Sequence, residues 1–170
     1  MKPIAFFIIV ALASTILKAG SPPGSDKASP GFDKLKSLVG TWSGKDEEGK
    51  PVHISYKLVS AGSSIMETLD MADEHESMIT MYHMNGKKLM MTHYCSLGNQ
   101  PRMRADGLSK EGNMLAFSFV DATNLSSQKA DHMYKLVFTF KDDNHFSQKW
   151  TMHMAENEDH PANFEFERVK

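Results

Sequence analysis

The chain has 170 residues, 41% of them hydrophobic and 24% charged, with a formal net charge of −2. That length suits one domain with a core of its own. The lack of a basic stripe argues against a nucleic-acid partner, and a lone cysteine, Cys95, excludes an internal disulfide.

The N-terminus reads MKPIAFFIIVALASTILKAG, with Lys2, an apolar stretch from Ile4 to Leu17, and small residues at Ala19 and Gly20. This is the pattern of a cleaved secretory signal peptide over residues 1–20. The stretch is shorter than the roughly 20 residues of a comfortable membrane span. No cysteine follows it to carry a lipid, and no later segment is apolar enough for membrane insertion. Removing residues 1–20 takes away Lys2 and Lys18 and moves the net charge from −2 to −4. An exported domain without disulfides points to secretion into the periplasm rather than to a disulfide-rich extracellular fold. Residues 21–31 are a Ser/Pro/Gly linker, expected to be disordered, and residues 32–170 form the domain.

Phe32, Leu35 and Leu38 or Val39 fall on one helical face, predicting a single short helix that ends at Gly40. Thr41-Trp42-Ser43-Gly44 opens the first strand. From there nearly every segment alternates apolar and polar residues with period two. Val52, Ile54, Tyr56 and Leu58 share one face of a strand; Ile65, Glu67 and Leu69 share a face of the next. The stretch Ser77–Ser96 is a hairpin about Asn85-Gly86, a pair suited to a type I′ turn. That turn sets Tyr82 opposite Leu89, Thr80 opposite Met91 and Met78 opposite His93. These residues and Cys95 share the face expected to be internal. Met103 and Ala105, then Leu115, Phe117 and Phe119, then Leu136, Phe138 and Phe140, continue the pattern. Phe146, Gln148, Trp150 and Met152, and finally Phe164, Phe166 and Arg168, complete it. Turn residues punctuate these runs at Ala61-Gly62-Ser63, Gly98-Asn99, Lys110–Asn113 and Lys141–Asn144. The expected fold is all-β: an antiparallel up-and-down β-barrel of about nine to ten strands with a short N-terminal plug helix. A sheet that long closes to remove its sticky edges.

The short helix followed by Leu38-Val39-Gly40-Thr41-Trp42-Ser43-Gly44 resembles the opening of the calycin barrels, which include lipocalins, fatty-acid-binding proteins and the haem-binding nitrobindins. Gly40 and Trp42 match the lipocalin Gly-x-Trp strand. Arg168 looks like the basic residue that packs over the tryptophan in that superfamily, a contact with cation–π energy behind it. The block Thr92–Met103 is similar to one in uncharacterised exported bacterial lipocalin-like proteins. The resemblance covers about residues 32–170. It implies a lipocalin-like barrel in which Gly40, Trp42 and Arg168 are structural.

An apolar barrel interior with a few converging polar groups is what a small-molecule site looks like. The residues expected to bind ligand are Tyr56, Glu67, Tyr82, Met91, His93, Met103, Phe117, Phe119, Phe138, Gln148 and Trp150. Among them Glu67 is the most informative. A buried carboxylate needs partners, and Tyr82 and His93 are the candidates. The expected function is non-enzymatic binding of a small, mostly apolar ligand, with Glu67, Tyr82 and His93 gripping its polar end. Several alternatives stand beside it. Haem would bind through one inward histidine, with His93 the best placed. Copper would be drawn by eight His and the twelve Met that remain after the leader, although neighbours such as His132-Met133 point to opposite faces of a strand. A weak enzyme would use Glu67 and His93 for acid–base work. Cys95 and His93 share a face but stand roughly 6–7 Å apart along one strand, with no oxyanion-hole loop beside them. No catalytic residue, metal ligand or cofactor is therefore assigned.

Overall fold

The computed structural model describes residues 29–72, 77–155 and 159–170. The leader, residues 21–28 of the linker and His75 lie outside the described residues. One helix and ten strands follow in chain order: α1 (Pro30–Lys36), β1 (Gly40–Lys45), β2 (Pro51–Val59), β3 (Ser64–Met71), β4 (Met78–Asn85), β5 (Lys88–Tyr94), β6 (Gln100–Leu108), β7 (Met114–Thr123), β8 (His132–Phe140), β9 (His145–His153) and β10 (Asp159–Arg168). Each strand pairs antiparallel with the next, and β1 also pairs with β10, so the sheet closes into a barrel. Closure leaves no row of unpaired backbone groups for another chain to join. The period-two pattern is visible in burial. In β3, Ile65, Glu67 and Leu69 are buried while Met66 and Thr68 are half-buried on the outer face.

Helix α1 closes one end. At seven residues it is too short to persist alone; its stability comes from burying Phe32 and Leu35, with Leu38 just beyond. Pro30 suits the first turn, where its missing N–H costs nothing. The helix therefore begins inside the stretch read as linker, and it ends at Lys36 rather than at Gly40. The reason lies in the carbonyls that follow. Leu38 gives its carbonyl to the Trp42 indole N–H at 2.8 Å. Ser37 and Val39 give theirs to the Arg168 guanidinium, at 2.8 and 3.1 Å. That guanidinium lies 4.0 Å from the Trp42 ring centre. Chain reversal, first strand and last strand are thus joined at the plugged end.

The β4–β5 hairpin differs from the expected register. Asn85 pairs with Lys88, so Gly86 and Lys87 are the central turn residues, and only Gly86 has positive φ. A glycine at the first central position is what a type II′ turn asks for, whereas type I′ would also force a non-glycine residue into the left-handed region. The shift sets Tyr82 opposite Met91 and Thr80 opposite His93. It moves the partner by two residues, so every side chain keeps its expected face. Leu58 does not face the interior; it is 43% exposed. Pairing of β1 with β2 stops at Gly40 and Tyr56, and β2 runs on past the end of the barrel.

β1 approaches β10 closely at Gly44. A Cβ there would lie 2.2 Å from the Glu165 carbonyl oxygen and 2.8 Å from the Phe166 ring. Gly44→Ala must push two paired backbones apart, and we expect a loss of about 2 kcal/mol, read as a lower urea midpoint with unchanged slope.

Candidate functional site

The middle of the barrel holds a buried carboxylate. Glu67 on β3 is 1% exposed. The Tyr82 hydroxyl donates to its Oε2 at 2.8 Å, and the Gln148 amide donates to the same oxygen at 2.9 Å. Burial pushes the Glu67 pKa up, and the neighbouring Tyr56, Tyr82, Gln148 and Thr80 side chains oppose the rise. The network continues outward. Gln148 also donates to the Tyr56 hydroxyl at 2.8 Å, and the Trp150 indole donates to Gln148 Oε1 at 3.0 Å. Tyr56 and Tyr82 are pushed well above the ordinary tyrosine range, first by burial and then by the Glu67 charge.

That polarity reaches His93 on β5. Thr80 Oγ1 lies 3.0 Å from His93 Nδ1. The direction of that bond follows the tautomer of the ring. The other ring nitrogen, Nε2, is buried and has no hydrogen-bond partner among the described residues. Burial lowers the His93 pKa to about 4, so the ring is neutral at pH 7. The ring packs against Trp150 at a tilt of 43°, with centroids 4.7 Å apart. Glu67 and His93 are linked through Thr80 rather than directly.

His93 and Trp150 form the inner wall of a cavity of about 240 Å³ at the end opposite α1. Four methionines line it: Met71, Met78, Met133 and Met152. Leu69, Phe164 and Ala162 add apolar wall, and the turn after β5, Cys95 to Leu97, forms part of its rim. Cys95 is half-buried. Among the described residues, no ionisable side chain other than His93 and Cys95 lines the cavity.

Of the residues expected to bind ligand, only His93 and Trp150 line this cavity. Tyr56, Glu67, Tyr82 and Gln148 are brought together, but they bond to one another beneath it. Met91, Met103, Phe117 and Phe138 are fully buried and fill the barrel. Phe119 is half-buried and lies beside His132, at 4.6 Å between ring centres. It is on the wall of a separate outer groove, because the β7–β8 ladder ends at Ser118 and Lys135. Met71, Met78, Met133, Met152 and Ala162 were not expected. For Met133 a register shift between Met133 and Lys135 breaks the alternation of β8. The other four continue the inward parity of their strands, and that parity could have found them.

No family model and no curated protein matches the chain. Among solved structures it is similar to a protein of unknown function from the DUF3598 family of Nostoc punctiforme, at 11% identity and a TM-score of 0.53. That match covers 79% of this chain and 49% of the other, so this chain spans about half the length of that protein. It is also similar to Rv2717c from M. tuberculosis, at 14% identity and a TM-score of 0.57, over 85% of this chain and 100% of the other. At such identities the likeness is one of fold. The chemistry of the site rests on this chain's own residues, and two measurements test it. Tyr82→Phe keeps the ring and removes one donor to a charged acceptor; we expect a loss of about 2 kcal/mol in urea unfolding. His93 has a folded pKa below its unfolded value of roughly 6.5, so its contribution is complete above that value and is lost as pH falls towards about 4. The loss amounts to about 3 kcal/mol, and His93→Leu should flatten the acid limb of stability against pH by that amount.

Proposed function

We propose that the chain is an exported calycin-type barrel that binds one small, mostly apolar molecule with a single polar end. The observation that carries this reading is an otherwise apolar cavity with His93 on its wall, whose buried Nε2 has no partner among the described residues. A buried polar group left unpaired is costly, and the polar end of a ligand that reached it would offset that cost. Apolar lining with one fixed polar group is the usual composition of small-molecule sites. The N-terminal pattern of Lys2 and the apolar stretch Ile4–Leu17 supports export, and Gly40, Trp42 and Arg168 support the calycin kinship.

Haem, the alternative raised by the calycin resemblance, fits poorly. The cavity volume is below the roughly 300–1,000 Å³ of sites for larger organic ligands, and among the described residues no lysine or arginine lines it to meet propionates. Copper(I) has a specific observation in its favour: four methionine thioethers and one imidazole nitrogen around one space are soft ligands of the kind it selects.

Native mass spectrometry of the full chain purified from its own host tests the reading. A small organic adduct that leaves on gentle activation is the expected result. A copper-mass adduct removed by a Cu(I) chelator would replace this reading with the metal one.

A further inference from the structure

We infer that His132 and His153 form a binding site for a divalent late transition-metal ion of the zinc kind, on the outer wall of the barrel and separate from the cavity.

Strand register brings the two imidazoles together. His132 opens β8, His153 ends β9, and the two are paired directly across that ladder. Paired residues on neighbouring strands point to the same face. The next pair along the ladder, Met133 and Met152, lines the cavity, so the histidine pair stands on the outer face. There it lines the groove left where the β7–β8 ladder stops, beside Phe119 and Tyr134.

The His132 ring is held as a metal-ligating histidine is usually held. It is 4% exposed, and its Nδ1 lies 2.7 Å from the Ala130 carbonyl oxygen. A carbonyl oxygen only accepts, so Nδ1 carries the hydrogen and the neutral ring keeps its lone pair on Nε2. Donation of the other ring N–H to a backbone carbonyl is the common support of an imidazole that binds a metal. Nε2 has no hydrogen-bond partner among the described residues. Unlike His93 Nε2, it is not sealed from solvent, and the surface His132 keeps opens on the groove. His153 is half-buried and has no hydrogen-bond partner among the described residues.

Spacing decides the coordination. The two ring centres are 5.3 Å apart. An ion about 2.0–2.1 Å from an imidazole nitrogen stands about 3.2 Å from that ring's centre, so two rings sharing it at a tetrahedral angle have centres about 5 Å apart. The pair already has that spacing. Among the described residues no third His, Cys, Asp or Glu completes the set. Asp159, the partner of His153 on β10, accepts from the Tyr134 hydroxyl at 2.8 Å. Two imidazoles with water in the remaining positions suit zinc, nickel or copper(II), whereas magnesium and calcium ask for oxygen ligands. The ion would clamp the start of β8 to the end of β9, at the point where β8 has lost its β7 neighbour.

The test is titration of the full-length protein with zinc chloride and, separately, with magnesium chloride, followed by the ¹⁵N shifts of the histidine rings. Zinc should move His132 Nε2 and a His153 ring nitrogen along one saturation curve, with one ion per chain, and magnesium should move neither. His153→Ala should weaken zinc binding at least about tenfold, the smaller loss seen even for groups that only support a ligand, and should abolish the His132 shift. His83→Ala, on the outer face of β4, should leave both unchanged. Should His153→Ala fail to fold, the melting temperature of the unaltered chain gives a second readout: zinc should raise it and magnesium should not. Zinc that moves other histidines first, an equal response to magnesium, no response to zinc, or unchanged zinc binding in His153→Ala would overturn the site.

Discussion

Glu67 is a carboxylate in the middle of a protein, 1% exposed, and its hydrogen-bonding partners are hydroxyls and an amide rather than a cation. Taking such a charge out of water is expensive unless donors replace the lost hydration. The barrel meets that demand from three strands: Tyr56 on β2, Thr80 and Tyr82 on β4, and Gln148 on β9. Tyr82 and Gln148 each turn a hydrogen towards it. Trp150 donates to Gln148 because the Gln148 amide hydrogens are committed to Glu67 and Tyr56. One buried carboxylate thus gathers the polar groups around it, and beyond Thr80 the His93 Nε2 has no partner among the described residues.

The position of that network divides the barrel into two unequal parts. Towards α1, rings fill the space: Trp42 packs edge-on against Phe146 at 4.7 Å, and Phe138 and Phe117 close on Tyr82. The plug is held there by side-chain bonds to the carbonyls of residues 37–39. At the other end the described residues include no helix, and the strand termini carry long, adaptable side chains instead. Methionine fills irregular space without demanding a single packing arrangement. A barrel of this size has room for side chains or for one small ligand. Here the polar layer marks where the first gives way to the second.

Much of this architecture was legible in the alternation of apolar and polar residues, because a closed barrel enforces inside and outside on every strand. Glu67 announced itself by standing between Ile65 and Leu69 on one face. The turn that sets the central hairpin was not legible in register, since a two-residue turn here can centre on Asn85-Gly86 or on Gly86-Lys87. Parity survives a two-residue shift, so the faces were right where the partners were not. Met133 was hidden by a bulge, which interrupts alternation without leaving a mark in composition. The division of inward polar groups into those that satisfy one another and the one that does not was also invisible. It depends on hydrogen bonds that cross between five strands, which no single segment carries.

The displaced register has a consequence for the site. Only with Thr80 opposite His93 can the threonine hydroxyl sit between the imidazole and the carboxylate; the expected pairing would have put Met91 there. A turn residue at Gly86, at the plugged end, thereby decides which side chain stands between the buried carboxylate and an imidazole near the opposite end. The burial of Glu67 and the surroundings of His93 are then both set by one hairpin register.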